Sequence, residues 1–280
     1  MKHTEGNLAG ARNLSIYHQY WTPESAPKAV LLLVHGAGEH SDRYRPLARY
    51  FTRHGYAVAA LDHPGHGRSE GRYGHVERFE DFVSTLDIFQ RKVTGDFPQL
   101  PQILLGHSMG GLISSLYLLR NQQNVVACVM SGPAIKTDIQ PGYLQLLLIR
   151  CLSIVAPRSG VLQLDAAGVS RDPAVVAAYV SDPLVNHDKM SARMVAELFA
   201  GMQQVQAEAG KISLPLLLLH GGADVMASPE GSRFLYEHAG SADKTLEIFP
   251  GLFHEIFNEP EHEAIFATVL QWCDKRLPVP

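Results

Sequence analysis

Two stretches of the chain present a serine between glycines two residues before and two after, GRSEG at 67–71 and GHSMG at 106–110. In that pattern the glycines let a sharp strand-to-helix turn carry an exposed hydroxyl without meeting a side chain. The pattern occurs twice, so the neighbouring residues must choose. PQILLGHSMGG runs from an apolar strand into the turn, and GLISSLYLLRN continues as a helix whose N-terminus points at any negative charge formed there. Ser69 lacks both flanks: LDHPGHGR before it and GRYGHVE after it are Pro- and Gly-rich loops. Ser108 is therefore the candidate nucleophile.

A serine hydroxyl at its ordinary pKa needs a base, and imidazole titrates in the right range. Of the 14 histidines, His254 follows a strand and a glycine turn in KTLEIFPGLFHEIFNEP, late in the chain and just before the last helix. That is where an open parallel sheet collects its reactive groups. His107 adjoins Ser108, with its side chain read as turned away by the geometry of the turn. His220 lies in or at the end of a strand. The carboxylate that would orient the imidazole is Asp224, at the end of LPLLLLHGGAD; Asp138, after an earlier strand, is the alternative. Charge developing on a substrate oxygen would be met by the backbone amides of Met109 and of Ala37, in VHGAGEH.

Elements that place these residues can be read from the hydrophobic pattern. Near-continuous apolar runs at 29–36, 55–65, 101–108, 124–133, 214–224 and 244–251 suit strands buried on both faces of a parallel sheet. Between them RYRPLARYFTRHG, ERFEDFVSTLDIFQRKV, SPEGSRFLYEHA and EPEHEAIFATVLQWCDKRL carry apolar residues at helical spacing. The expected fold is α/β, a mostly parallel central sheet with helices on both faces, preceded by an antiparallel hairpin in GNLAGARNLSIYHQYWTP. The alternation breaks at 134–198, where only helix-like segments occur. This block is expected to be a helical cap inserted between core segments 1–133 and 199–280.

Composition narrows the function classes. The chain has 280 residues, 46% hydrophobic and 19% charged, with a net charge of −4, which gives no basic surface for nucleic acid. Three widely spaced cysteines, Cys128, Cys151 and Cys273, form no disulfide framework and fit a reducing compartment. The stretch MKHTEGNLAGARNLS lacks the apolar region of a secretory signal, so a cytoplasmic location is expected. The apolar stretch YLQLLLIRCLSIVA at 143–156 is too short to span a bilayer, but it suits transient contact with a membrane or micelle. Asp62, His63, His66 and His75 lie close in sequence, yet the Pro and Gly between His63 and His66, and the missing second histidine in HEIFN, argue against a zinc enzyme. No metal and no cofactor is expected.

Taken together, HGAGEHSDRY, LDHPGHGRSEG, GHSMGG, SDPLV, HGGADVMASPEGS and FPGLFHE span nearly the whole chain. In order and spacing they resemble the α/β-hydrolase superfamily, and more closely the monoacylglycerol lipase family with its lysophospholipase-like relatives. The order Ser108, Asp224, His254 also matches that superfamily. The resemblance implies hydrolysis of monoacylglycerols, a small-molecule lipid ester substrate, through an acyl-enzyme. It further implies an apolar acyl tunnel under the cap and a narrow polar end for glycerol. Arg43 stands where mammalian members have an arginine supporting the glycerol end, whereas Phe257 stands where they carry a second histidine. Rival readings on the same fold are a broad carboxylesterase or lysophospholipase, a prolyl-type aminopeptidase, and a non-catalytic ligand-binding protein.

Overall fold

The computed structural model describes residues 1–137 and 142–278; the alternative carboxylate Asp138 lies outside the described residues. In chain order the elements are β1 (Lys2–Ala9), β2 (Ser15–Thr22), β3 (Ala29–Val34), α1 (Arg45–Arg53), β4 (Tyr56–Leu61), α2 (Glu80–Asp96), β5 (Gln102–His107), α3 (Met109–Asn121) and β6 (Ala127–Ser131). Then come α4 (Tyr143–Val155), β7 (Gly160–Leu162), α5 (Pro173–Ser181), β8 (Met190–Ser191) and α6 (Ala192–Glu208), followed by β9 (Leu216–Gly221), α7 (Pro229–His238), β10 (Lys244–Phe249) and α8 (His262–Asp274).

Eight strands form one sheet in the order β1-β2-β4-β3-β5-β6-β9-β10. The hairpin β1–β2 joins it antiparallel to β4, and the other pairings are parallel. Successive residues of the central strands serve two different cores. In β3, Val30, Leu32 and Val34 face a cluster with Phe82, Leu112 and Val195, while Ala29, Leu31 and Leu33 face one with Phe51, Phe266 and Trp272. A run with no polar position is what this two-sided burial demands, because either face of the strand would otherwise bury an unpaired group. Helices α2, α3, α6 and α7 contribute to the first cluster, and α1 and α8 to the second.

The segment after β6 differs from the expectation in two details. It is not all helix, since β7 and β8 pair antiparallel as a small second sheet. The anticipated boundary at 198 also falls inside α6, whose Val195, Leu198, Met202 and Val205 pack into the core cluster as one helical stripe. Apolar spacing reveals such a stripe but does not tell whether it covers a cap or a sheet.

Close backbone approach decides where the glycines must be. A Cβ on Gly110, in the first turn of α3, would stand 2.0 Å from Val34 O, whereas one on Gly95, near the exposed end of α2, would meet nothing within 4 Å. Gly110→Ala should therefore destabilise the protein by about 2 kcal/mol or more through overpacking. Gly95→Ala should stabilise it by roughly 0.5–1 kcal/mol through helix propensity. Urea unfolding midpoints moving in opposite directions would bear this out; a Gly110→Ala midpoint equal to the wild type would show that α3 can retreat freely.

Candidate active site

Ser108 closes β5 and opens α3 with φ 54° and ψ −120°, a conformation that L-residues rarely adopt. The strain is held in place by hydrogen bonds at both of its peptide groups. Its N–H donates to Ser131 O at 3.0 Å, and its carbonyl accepts from Gly111 N at 2.9 Å and Ala134 N at 3.0 Å. A Cβ on Gly106 would come within 2.5 Å of Ser114 Oγ, so both glycines of the motif are needed for the turn to close.

His254 and Asp224, brought to the same end of the sheet by the loops after β10 and β9, form a buried pair. The imidazole Nδ1–H donates to Asp224 Oδ2 at 2.6 Å, which leaves Nε2 as the nitrogen able to take a proton. Asp224 Oδ1 accepts from the amides of Met226 at 2.8 Å and Ala227 at 3.0 Å. Burial works against both charges, but the partner charge and these donors outweigh it and hold the Asp224 carboxyl well below the usual carboxylate range. At His254 burial likewise opposes the imidazolium, and Asp224, helped by Glu255 and Glu39, overcomes it and raises the pKa.

Ser108, Met109, Ala37 and His254 line one cavity of about 100 Å³, together with apolar side chains that include Leu198 and Met202 of α6 and Val169. A cavity of about 410 Å³ with a mixed polar and apolar lining adjoins it, sharing Ala37, Leu164, Tyr179 and Met190 and lined further by Asn186, His187 and Asp188. The amides of Ala37 and Met109 donate no hydrogen bond among the described residues, as is required of groups that are to receive an oxyanion.

Arg43 is placed behind the cavity wall and is not part of its lining. Its guanidinium grips Glu255 through two hydrogen bonds, 2.6 and 2.7 Å, and reaches Glu39 at 3.0 Å. Glu39 in turn accepts from Gly36 N at 2.6 Å and Tyr44 OH at 2.7 Å. The arginine thus ties the loop carrying Ala37 to the loop carrying His254, and Glu39 and Glu255, not Arg43, face the cavity. Phe257 points into the opposite core against Phe266 and lines neither cavity.

One expectation is corrected. The His107 ring does not turn away from the site: it lines the cavity and its centroid lies 4.7 Å from that of His254. Its Nδ1 lies 3.0 Å from Ser131 O, and burial, reinforced by the neighbouring His254, pushes its pKa down to about 3, so it packs there as a neutral ring. Spacing along the strand could not show this, because the turn at Ser108 redirects the chain immediately after His107. The supporting groups Glu39, Glu255 and His220 also escaped sequence reasoning; their one signal is adjacency, in GAGE, HE and HGGAD.

The other sequence features serve the scaffold. Ser69 Oγ donates to Asp62 O at 2.6 Å and accepts from Tyr17 N at 2.9 Å, fastening the GRSEG loop to β2. The Asp62 carboxylate is occupied by Ser41, through N–H and hydroxyl, and by Arg68 N. His75 pairs with Ser191 Oγ at 2.8 Å. Among the described residues no group of three or more His, Cys, Asp or Glu side chains converges as a metal site.

A mostly parallel sheet, a serine on a strained strand-to-helix turn and a late Asp–His pair together define the α/β-hydrolase class. Comparison with known proteins agrees. A family model described as serine aminopeptidase, S33, matches residues 25–261. The chain is 39% identical to a monoacylglycerol lipase of Mycolicibacterium smegmatis over 98% of both chains. It is 34% identical to the human monoglyceride lipase, over 96% of this chain and 90% of that one. The crystal structure of Paleococcus ferrophilus monoacylglycerol lipase superimposes with a TM-score of 0.84 at 32% identity, covering 93% of this chain and 99% of that one. The chain belongs to the monoacylglycerol lipase family of α/β-hydrolases.

Replacing Ser69 by Ala should cost about 1–2 kcal/mol of stability, since it leaves a buried amide and carbonyl without their shared partner. It should leave most of any hydrolytic activity intact. A thermal melt alongside an ester assay separates the two effects, and loss of activity in a folded Ser69→Ala protein would contradict the scaffold role.

Proposed function

We propose that the chain is a serine esterase that hydrolyses monoacylglycerols to fatty acid and glycerol through an acyl-enzyme. The observation that carries this reading is the buried His254–Asp224 pair, whose imidazole shares a largely apolar cavity with Ser108, in a chain so similar to monoacylglycerol lipases. His254 Nε2 takes the Ser108 proton as Oγ attacks the ester carbonyl. The amides of Ala37 and Met109 hold the oxyanion, and the imidazolium, stabilised by Asp224, protonates the departing glycerol oxygen. Water then repeats the steps on the acyl-enzyme. Arg43 supports the polar end through Glu39 and Glu255, and the apolar lining under residues 134–198, read as a cap, accepts the acyl chain.

The cap also suits contact with a lipid aggregate. On α4 Leu148 is 69% exposed, Ile154 72% and Val155 84%, and Val161 and Leu162 of β7 are exposed nearby in sequence. Among the described residues no helix is long and apolar enough to cross a membrane, so this contact would be peripheral.

Ser108→Ala should fold normally, lose ester hydrolysis by about a thousandfold or more and refuse a fluorophosphonate label; retained labelling would sink the assignment. The base must be neutral to act, so kcat/KM should fall as pH drops through the raised His254 pKa, placing the acid limb above the ordinary histidine value of 6.5. An acid limb below that value would show that Asp224 does not govern the imidazole. Leu148→Glu with Ile154→Glu should weaken binding to phospholipid vesicles and slow hydrolysis of dispersed long-chain monoacylglycerol several-fold, with a much smaller effect on a soluble short-chain ester. Equal losses on both substrates would point to damage in the cap, not to lost lipid contact.

A further inference from the structure

His220 takes no part in the reaction as written above, yet it is the second imidazole bound to Asp224. It follows four leucines, Leu216 to Leu219, in β9, is fully buried, and lines neither cavity. Its Nε2 stands 3.0 Å from Asp224 Oδ2 and 3.0 Å from Ala227 O. Both are acceptors, so Nε2 carries the proton; its hydrogen bond goes to Ala227 O, with Asp224 Oδ2 beside it. On the other side of the ring, Ser232 Oγ lies 2.7 Å from Nδ1, which is unprotonated in this tautomer and accepts from the hydroxyl. Burying an imidazole where leucine would pack is costly unless both nitrogens are partnered, and here both are. By contrast, both ring nitrogens of the buried His63 lack a partner among the described residues.

We propose that His220 is a positioning residue for the hydrolysis: anchored by Ser232, it holds Asp224 in the rotamer that faces His254 and sets how strongly that carboxylate favours a charged imidazole. The geometry is a line of four groups, Ser232, His220, Asp224 and His254. His254 donates to Oδ2, and Nε2 of His220 lies 3.0 Å from the same oxygen. A second N–H that close draws off some of the charge that would otherwise act on His254. The inference rests on the roles assigned above to Asp224 and His254.

The test compares His220→Phe, which keeps a flat ring and removes the donor, with His220→Gln, whose amide N–H reaches the place of Nε2. His220→Phe releases the hold on the Asp224 rotamer, which should lower kcat roughly tenfold or more and leave KM within about twofold. With the donor gone more charge stays on Oδ2 and favours the imidazolium, which should move the acid limb up by roughly half a unit. His220→Gln should keep kcat within about threefold and the limb in place. The charged and titratable groups facing His254, namely Asp224, His107, Glu255 and Glu39 with Arg43 behind, are the same in all three proteins, so a difference between the variants reports the donor. Ser232→Ala should move the limb the same way by less, and it carries the test should the Phe variant not fold. The far-downfield proton resonance of His254 Nδ1–H, recorded without substrate, should move in the Phe variant and not in the Gln variant. Wild-type kcat and limb in His220→Phe, or equal impairment of both variants, would overturn the proposal. A wild-type protein that hydrolyses no ester would defeat the functional reading instead, and the resonance would still decide whether His220 tunes the pair.

Discussion

A single backbone conformation, the left-handed turn at Ser108, is the constraint to which the rest of the site is fitted. A non-glycine residue at φ 54° and ψ −120° costs on the order of 1–3 kcal/mol. It persists because β6, the first turn of α3 and the segment after β6 bind its peptide groups from either side. The same turn sets the hydroxyl in a cavity wall, starts α3 at Met109 and brings that residue's amide beside it. Gly106 and Gly110 are consequences of this arrangement, since a Cβ at either would collide with atoms that the turn brings close.

Around that turn the protein buries several charged groups, and it does so in closed sets. Asp224 meets His254, His220 and two amides. Arg43 meets Glu255 and Glu39, which meets Gly36 and Tyr44 in turn. Buried ions without partners would cost several kcal/mol each, and removing one member of such a set leaves the others exposed to that cost. Glu259 applies the same rule to the junction with the inserted segment. Fully buried, it accepts from Phe253 N at 2.7 Å and from Ser170 Oγ and Arg171, while Glu255 N donates to Val169 O at 2.8 Å. The loop bearing His254 is thus bonded to residues 169–171, so that stretch and the imidazole share one hydrogen-bonded unit.

The elements that carry the site were legible because each has a local cause. Strands buried on both faces read as unbroken apolar runs, and the motif glycines mark the turn at Ser108. His254 and Asp224 could be selected because a parallel sheet presents the ends of β9 and β10 at one edge. What escaped notice has non-local causes. The ring of His107 depends on how the chain departs from β5. The pairing of Arg43 with Glu255 joins residues 212 apart in sequence, and no spacing rule reaches that far.

By itself, then, the sequence determined the sheet, the strained serine and the order of Ser108, Asp224 and His254, because periodicity and turn chemistry act over a few residues. Tertiary structure alone decided which charged groups neutralise one another and which face the cavity. Arg43 became a strut between two glutamates, Phe257 a core residue, and His220 a partner of Asp224. The physical reason is that burial leaves each ion and each buried N–H only the partners that the folded chain brings within hydrogen-bond reach.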